Sequence, residues 1–441
     1  MFSELAEASC SIPADGFVAD PQHPFVPPAF QRLRANRALS RRPMRSKPKI
    51  VHLIGALGSG GAERQLVNLV TALGKRGLDV SVLSMEPLIG PSAFRLPALQ
   101  QNNIPARAVQ RGIDPGYSAL AVVPHIGDLI AQLPNWLKPW PLEIARELAT
   151  DPPDILHIWL DFTNITGAIA ALMLGVPRII LSTRSVNPTH FSYMNTPWFQ
   201  PWYTFLATIP DLLLLNNSEA GQRDYAQWMN MPPTRFQVIR NGIDTAFYHR
   251  AEPEQIASLR QELQLQPGDQ LLAGVFRLSE EKRPLLFLEV AQAVMQSRPH
   301  LHTAIFGHGP LESEVRTCIA NSPLASRIHL VPPRDDMPVV YSASDLLLQT
   351  SILEGTPNTL LEAQATGCPV VTTAGGGAAE CLLDQETGFI ADTSADLTER
   401  VARILDDNDL RNRLSHRGRA FIEDRFNFEQ MTDSCIDLYR A

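Results

Sequence analysis

From Lys49 onward, short apolar runs alternate with stretches of helical periodicity, and the alternation runs through the chain twice. No other feature limits the fold as much. The first series comprises "KIVHLIGAL" (49–57), "DVSVLSM", "DILHIWL" (154–160), "RIILSTR" (178–184), "DLLLLNN" (211–217) and "RFQVIRN" (235–241). The second restarts at "LLAGVFRL" (271–278) and continues through "LHTAIFG", "RIHLVPP", "DLLLQTS" and "PVVTTA". Near-continuous apolar strands separated by helices predict parallel sheets covered on both faces. At 441 residues the chain exceeds a single hydrophobic core. The expectation is an α/β protein of two Rossmann-like, doubly wound domains. These are a tail over 1–47, a first domain over 48–245, a second over 246–425, and a closing helix over 426–441 that crosses back to the first domain. The polar segment 241–270 reads as the linker. Ligands of such sheets bind beyond the carboxyl ends of the strands, which predicts a cleft faced by both domains.

Composition removes several classes. A net charge of -8 argues against a nucleic-acid binder. Five scattered cysteines without a CxxC give neither a disulfide framework nor a zinc site, so a reducing, cytoplasmic setting is expected. The longest apolar run, "GAIAALMLGV" (167–176), is too short to span a bilayer and reads as a buried helix. The segment "QRLRANRALSRRPMRSKPK" (31–49) carries eight basic residues and no acid. It reads as a solvated or wrapping tail, or as a peripheral contact with anionic lipid at the inner face of the membrane. Residues 110–150, with Trp136 and Trp140 among prolines, form either a packed surface excursion or part of a substrate rim.

Five constellations stand where ligands of such sheets bind. The loop "GALGSGGAERQ" (55–65) brings backbone amides at Gly60 and Gly61 to the start of a helix, suited to an anionic or hydroxyl-rich ligand or simply to a tight turn. Glu63 breaks the dinucleotide fingerprint, which disfavours a dehydrogenase. In "FRLSEEKRP" (276–284), Arg277 and Lys282 could converge on a diphosphate, each close charge pair contributing roughly 4 kcal/mol at an effective dielectric of 20. In "LEGTPNTLLEAQATG" (353–367), Thr356 reads as N-cap and Pro357 as the first helical residue. The amides of Asn358, Thr359 and Leu360 would then form an anion site, flanked by Glu354 and Glu362. The alternative is a capping acid and a solvated glutamate. "HIWLDFTN" (157–164) ends a strand with His157 and Asp161, the histidine equally readable as a satisfied core residue. The loop "TRSVNPTHFSYMNTPWFQPWY" (183–203) sets Arg184, Asn187 and His190 among aromatics, a composition suited to sugar faces or to packing.

Taken in order, these motifs resemble family 4-type retaining glycosyltransferases of the GT-B fold, over about residues 48–440. "VIRNGID" (238–244), "GHGPLESEV" (307–315), the Glu-x7-Glu helix start with its "TGCPVV" continuation, and "GGGAAE" carry the resemblance with the motifs above. It implies that Arg277 and Lys282 hold the donor diphosphate, Glu362 the nucleotide ribose, and that Glu354 lies by the transferred sugar. Gly60, Gly61 and Gly307 join the donor-lining set, with Arg184, Asn187 and His190 on the acceptor side. "LDFTN…STRSVNPTHF" further resembles members of bacterial surface-polysaccharide pathways. Phe276 stands where many members have glycine, leaving less room beside the phosphates, and Thr356-Pro357 replaces a common Phe-Gly. Trp159 occupies a position where many members carry histidine, so either His157 or Asp161 meets the reacting sugar.

The resulting expectation is a metal-independent hexosyl- or N-acetylhexosaminyl-type transferase without a cofactor. It would move sugar from a nucleotide sugar, most simply a UDP-sugar, to a glycan or polyprenyl-linked acceptor. A sugar-nucleotide epimerase of the same fold and a non-catalytic nucleotide-sugar-binding subunit are the alternatives.

Overall fold

The computed structural model describes Val26, Arg34 and residues 41–110, 133–191 and 193–440. It divides into two compact units. The first runs to Val238, without Ser218–Gly221, and takes up the chain again at Ile436; the second holds Ser218–Gly221 and Ile239–Cys435.

In the first unit the order is β1 (Lys49–Ile54), α1 (Gly61–Lys75), β2 (Asp79–Ser84), α2 (Leu96–Gln101), β3 (Ala106–Ala108), α3 (Pro139–Ala149), β4 (Ile155–Trp159), α4 (Asp161–Met173), β5 (Arg178–Ser182), α5 (Phe199–Leu206), β6 (Leu212–Asn216), α6 (Glu219–Trp228) and β7 (Phe236–Val238). The second continues with α7 (Pro253–Glu262), β8 (Gln270–Val275), α8 (Pro284–Met295), β9 (Leu301–Phe306), α9 (Glu312–Ala320), β10 (Ile328–Val331), α10 (Met337–Ala343), β11 (Leu346–Gln349), α11 (Asn358–Ala365), β12 (Val370–Thr372), β13 (Phe389–Ile390), α12 (Ser394–Asp406), α13 (Asn408–Arg425) and α14 (Phe428–Arg440), whose residues from Ile436 belong to the first unit.

Both sheets are parallel, with orders β3-β2-β1-β4-β5-β6-β7 and β10-β9-β8-β11-β12-β13. The order reverses beside the first strand of each: between β1 and β4 in one, between β8 and β11 in the other. Ligand crevices of doubly wound sheets open at such reversals. The glycine loop and Asp161 follow β1 and β4; Arg277 and the Glu354 loop follow β8 and β11.

The apolar alternation places the core as expected. Residues 163–173 of α4 are all buried, and Gly167 lets the helix settle on the sheet, since a Cβ there would lie 2.5 Å from the Leu53 side chain. Trp136 lies 5.1 Å from Trp198 and Trp140 5.2 Å from Phe162, ring to ring, so the described part of 110–150 is a packed excursion. Its stretch 111–132 lies outside the described residues.

One expectation needs correction. The linker 241–270 contains α7, whose start is held by Gln255 Oε1 accepting from the Glu252 amide at 3.2 Å. The described cations of the basic segment are largely engaged by the first unit. Arg41 pairs with Asp211 at 2.9 Å, Arg45 with Asp151 at 2.8 Å and Lys49 with Asp151 at 2.5 Å. Arg42 donates to the Pro153 carbonyl at 2.7 Å and Arg34 to Thr208 at 3.2 Å. These bonds fit the wrapping reading for the described part of the segment; Arg32 and Arg37 lie outside the described residues. No described helix is long and apolar enough to cross a membrane.

Candidate functional site

In the second unit, two loops at the β8/β11 reversal are tied together. Arg283, left-handed at φ 50°, donates through its guanidinium to the Thr350 carbonyl at 2.5 Å and the Ser351 carbonyl at 3.1 Å. This bracing sets Lys282, at the end of a single 3-10 turn, in an ion pair with Glu354. The Glu354 carboxylate also accepts from Ser351 Oγ at 2.7 Å and Gln349 Nε2 at 3.1 Å. Arg277 is exposed and has no ion-pair partner among the described residues. One cation is thus held by a carboxylate and the other faces solvent.

Helix α11 begins one residue later than expected. Pro357 is the cap residue, with φ -70° and ψ 111°, and Asn358 opens the helix, so Thr356 is not the cap. Proline has neither an N–H nor a side-chain acceptor, and no side chain caps this end. Instead Asn241 reaches in, its Nδ2 donating to the Thr356 carbonyl at 3.1 Å and to Asn358 Oδ1 at 2.7 Å. Thr359 donates from Oγ1 to Gln349 Oε1 at 3.0 Å, and Leu360 is buried. The first-turn amides keep the orientation that suits an anion. Glu362 is buried one turn further on, its Oε2 accepting from the Tyr341 hydroxyl at 2.9 Å.

Gly307 lets the loop after β9 run against β8, for a Cβ there would lie 2.0 Å from the Phe276 carbonyl oxygen. The Phe276 ring is buried edge-on to Phe287, 5.5 Å between centroids.

In the first unit, β1 and β4 pair so that His52 and His157 stand side by side. Both are fully buried. Trp159 Nε1 donates to His52 Nδ1 at 3.1 Å; Tyr439 bridges His52 Nε2 at 3.3 Å and His157 Nδ1 at 2.8 Å. Since the indole can only donate, His52 carries its proton on Nε2 and gives it to Tyr439, which gives its own to His157. Burial lowers both imidazoles, His52 to about 3, so both are neutral. His157 is therefore a core residue in this structure, and Asp161 is the candidate that is not fully buried.

Asp161 opens α4 after Leu160, a non-glycine residue at φ 73°. Its Oδ1 accepts from Tyr203 at 2.6 Å and Tyr225 at 2.7 Å. Burial pushes the carboxyl up to about 6, the two phenols pulling the other way. Arg184, also left-handed at φ 68°, lays its guanidinium 4.7 Å over the Trp159 ring. Asn187 and His190 are brought together on Asp224. Asn187 donates from its amide nitrogen at 2.6 Å and from Nδ2 at 2.7 Å, and His190 Nε2 lies 2.7 Å from Asp224 Oδ1.

In the glycine loop, the Glu63 carboxylate folds back beside Gly60, where a Cβ would lie 2.2 Å from it. A carboxylate in the first turn of α1 favours a hydroxyl-bearing ligand there over an anion.

Sequence reasoning missed His52, Tyr203, Asp224, Tyr225 and Tyr439. Only His52 left a sign, in the parallel openings "KIVH" and "DILH" of two adjacent strands. Among the described residues no three metal-ligating side chains form a cation site.

Comparison with known proteins follows the same division. Residues 59–247 match the family model "Glycosyltransferase Family 4" and residues 255–421 the model "Glycosyl transferases group 1". The chain is 27% identical to the Vi polysaccharide biosynthesis protein VipC/TviE of Salmonella typhi, over 92% of this chain and 73% of that one. It is also 27% identical to the UDP-Gal:alpha-D-GlcNAc-diphosphoundecaprenol alpha-1,3-galactosyltransferase of Escherichia coli, over 68% and 78%. Its fold is similar to that of Anabaena HepE, crystallised with UDP and glucose. The TM-score is 0.71 at 21% identity, covering 89% of this chain and 100% of that one. The lipopolysaccharide glycosyltransferase WaaG is similar with a TM-score of 0.63 at 17% identity, over 88% and 99%.

Proposed function

The chain belongs to the family 4-type glycosyltransferases of the GT-B fold, and from that premise we propose that it transfers a hexosyl or N-acetylhexosaminyl group from a UDP-sugar to a glycan or polyprenyl-linked acceptor in surface-polysaccharide synthesis, with retention and without a metal. The relatives' names support the pathway and the nucleotide: one serves Vi polysaccharide biosynthesis, and another takes galactose from UDP to a diphosphoundecaprenol-linked sugar.

One observation carries the donor assignment. At a single strand-order reversal the second unit gathers two cations, Arg277 and Lys282, a helix start without a side-chain cap, and the buried carboxylate of Glu362. In this reading Arg277, Lys282 and the amides at Asn358–Leu360 hold the diphosphate. As the bond from C1 to the phosphate oxygen breaks, they stabilise the charge that develops there, often the largest catalytic contribution. The departing oxygen takes the acceptor proton, so no strong base is required. Glu362 accepts from the ribose hydroxyls. Lys282 exchanges part of its pairing with Glu354 for the diphosphate, which frees that carboxylate for sugar hydroxyls. The first unit binds the acceptor.

Thermal shifts with a panel of nucleotide sugars identify the donor, because a bound ligand stabilises by RT ln(1 + [L]/Kd). Lys282→Ala and Glu362→Ala are each expected to weaken UDP-sugar binding or turnover by about 100-fold, as loss of a buried charged contact does. Near-normal binding and transfer in both variants would overturn the assignment.

A further inference from the structure

The two phenols at Asp161 both donate to the same oxygen, Oδ1, at 2.6 and 2.7 Å. Tyr203 is itself oriented by Asn164, whose Nδ2 donates to the phenol oxygen at 2.9 Å. Oδ2 has no hydrogen-bond partner among the described residues, and Asp161 retains exposed surface. The preceding Leu160 is held at φ 73° and ψ 154°, a conformation costing on the order of 1–3 kcal/mol for a residue with a side chain. The turn that aims Asp161 is therefore maintained against local preference. A partly buried carboxylate with one oxygen filled from within and the other without a hydrogen-bond partner among the described residues is arranged to receive a ligand hydroxyl.

We propose that Asp161 Oδ2 accepts a hydrogen bond from a hydroxyl of the acceptor sugar, and that Tyr203 and Tyr225 are positioning residues that set the carboxylate for it. The proposal rests on the transferase reading and deepens its acceptor side. The groups that act on this carboxyl are Tyr203 from α5 and Tyr225 from α6, with Asp224 acting in turn on Tyr225; α3, β4 and β5 add no charge to it. Only the ionised form is a full acceptor, so activity should rise as pH passes about 6. Removing either phenol raises the carboxyl further and moves that rise to higher pH.

The test uses the full chain and follows UDP release from the UDP-sugar selected by thermal shift, with methyl glucoside, methyl galactoside and methyl N-acetylglucosaminide as surrogate acceptors and water as the fallback nucleophile. Asp161→Asn should lower UDP release about 20-fold or more, while the thermal shift by UDP stays as in wild type. Tyr203→Phe and Tyr225→Phe, made singly, should each move the acid limb of the pH profile up by about half a unit, with rates within about threefold of wild type at pH 8.5. Asp161→Asn at wild-type rate overturns the proposal and leaves the donor assignment standing. Tyrosine variants slowed equally at every pH reduce the phenols to packing and overturn their positioning role. Loss of the UDP thermal shift in wild type overturns the transferase reading and this proposal with it.

Discussion

At the scale of single residues, two glycines show how differently the same residue type can be used. Gly58 in the first glycine loop has open space, its nearest atom to an added Cβ being a carbonyl at 3.9 Å. Gly307 has none: an added Cβ would lie 2.0 Å from the Phe276 carbonyl oxygen, a backbone atom that cannot rotate away. Gly307→Ala must push apart the ends of β8 and β9, and with them the backbone that presents Arg277. The expected cost is about 1–3 kcal/mol, typical of overpacking, with weaker UDP binding, whereas Gly58→Ala should stay within about 0.5 kcal/mol. Urea denaturation of both variants checks this, and equal stabilities would refute the close-approach argument. The left-handed residues Leu160 and Arg184 follow the same logic in the first unit, at the ends of adjacent strands β4 and β5. Both bear side chains, so local preference does not explain them and the surrounding structure must hold them.

At the scale of elements, the start of α11 depends on a residue more than a hundred positions away. Asn241 spends its Nδ2 on the Thr356 carbonyl and Asn358 Oδ1. Asn241→Ala leaves both acceptors buried without this donor, which costs about 1–3 kcal/mol, and it frees the first turn of the helix to shift. UDP affinity should fall several-fold even though Asn241 needs no contact with the nucleotide; unchanged affinity with unchanged stability would sink this role. Most strands and helices were legible because apolar runs bounded by glycine and proline have few readings; β3 and β13, of three and two residues, were too short to stand out. Helix α7 was not, since among its ten residues only Leu259 is fully buried and its polar surface reads as a linker. Thr356 as cap failed by one position because proline, normally a first-turn residue, here takes the cap itself. The residues proposed to hold the donor were readable because they sit in short motifs that follow strands. Among the residues proposed for the acceptor, Asp161, Asn187 and His190 were visible, but the groups that orient them come from α5 and α6. No local pattern announces a tyrosine at 203 or an aspartate at 224, and only the packed fold brings them to the strand ends.

At the scale of the whole molecule, the chain's last turn returns to its first strand. Tyr439 joins His52 and His157, residues 387 and 282 positions away, inside the first unit. Arg178 fastens the same turn by donating to the carbonyls of Leu438 at 3.0 Å and Tyr439 at 2.9 Å. The network leaves the buried His157 Nε2 without a partner and needs both imidazoles neutral, which makes the unit sensitive to acid. In the unfolded chain a histidine takes up a proton below about pH 6.5. In the folded unit His52 does so only near 3, and His157 is lowered as well. The unfolded state therefore binds more protons as pH falls below 6.5, and folding stability is lost, by up to about 1.4 kcal/mol per pH unit for each histidine. Asp161 works in the opposite sense, because its folded carboxyl titrates at about 6 rather than near 4 and gains stability on acidification. Two groups against one leave a net loss. All six tryptophans, from Trp136 to Trp228, lie in the first unit, so their fluorescence follows its unfolding alone. Urea midpoints by that signal should fall between pH 7 and 5.5, and His157→Gln should flatten the fall. Tyr439→Phe should lower stability by about 1–3 kcal/mol at pH 7 by leaving His157 Nδ1 without its donor. A midpoint that ignores pH in wild type, or a slope that His157→Gln leaves unchanged, would show that the closing turn is held by packing and the Arg178 bonds alone.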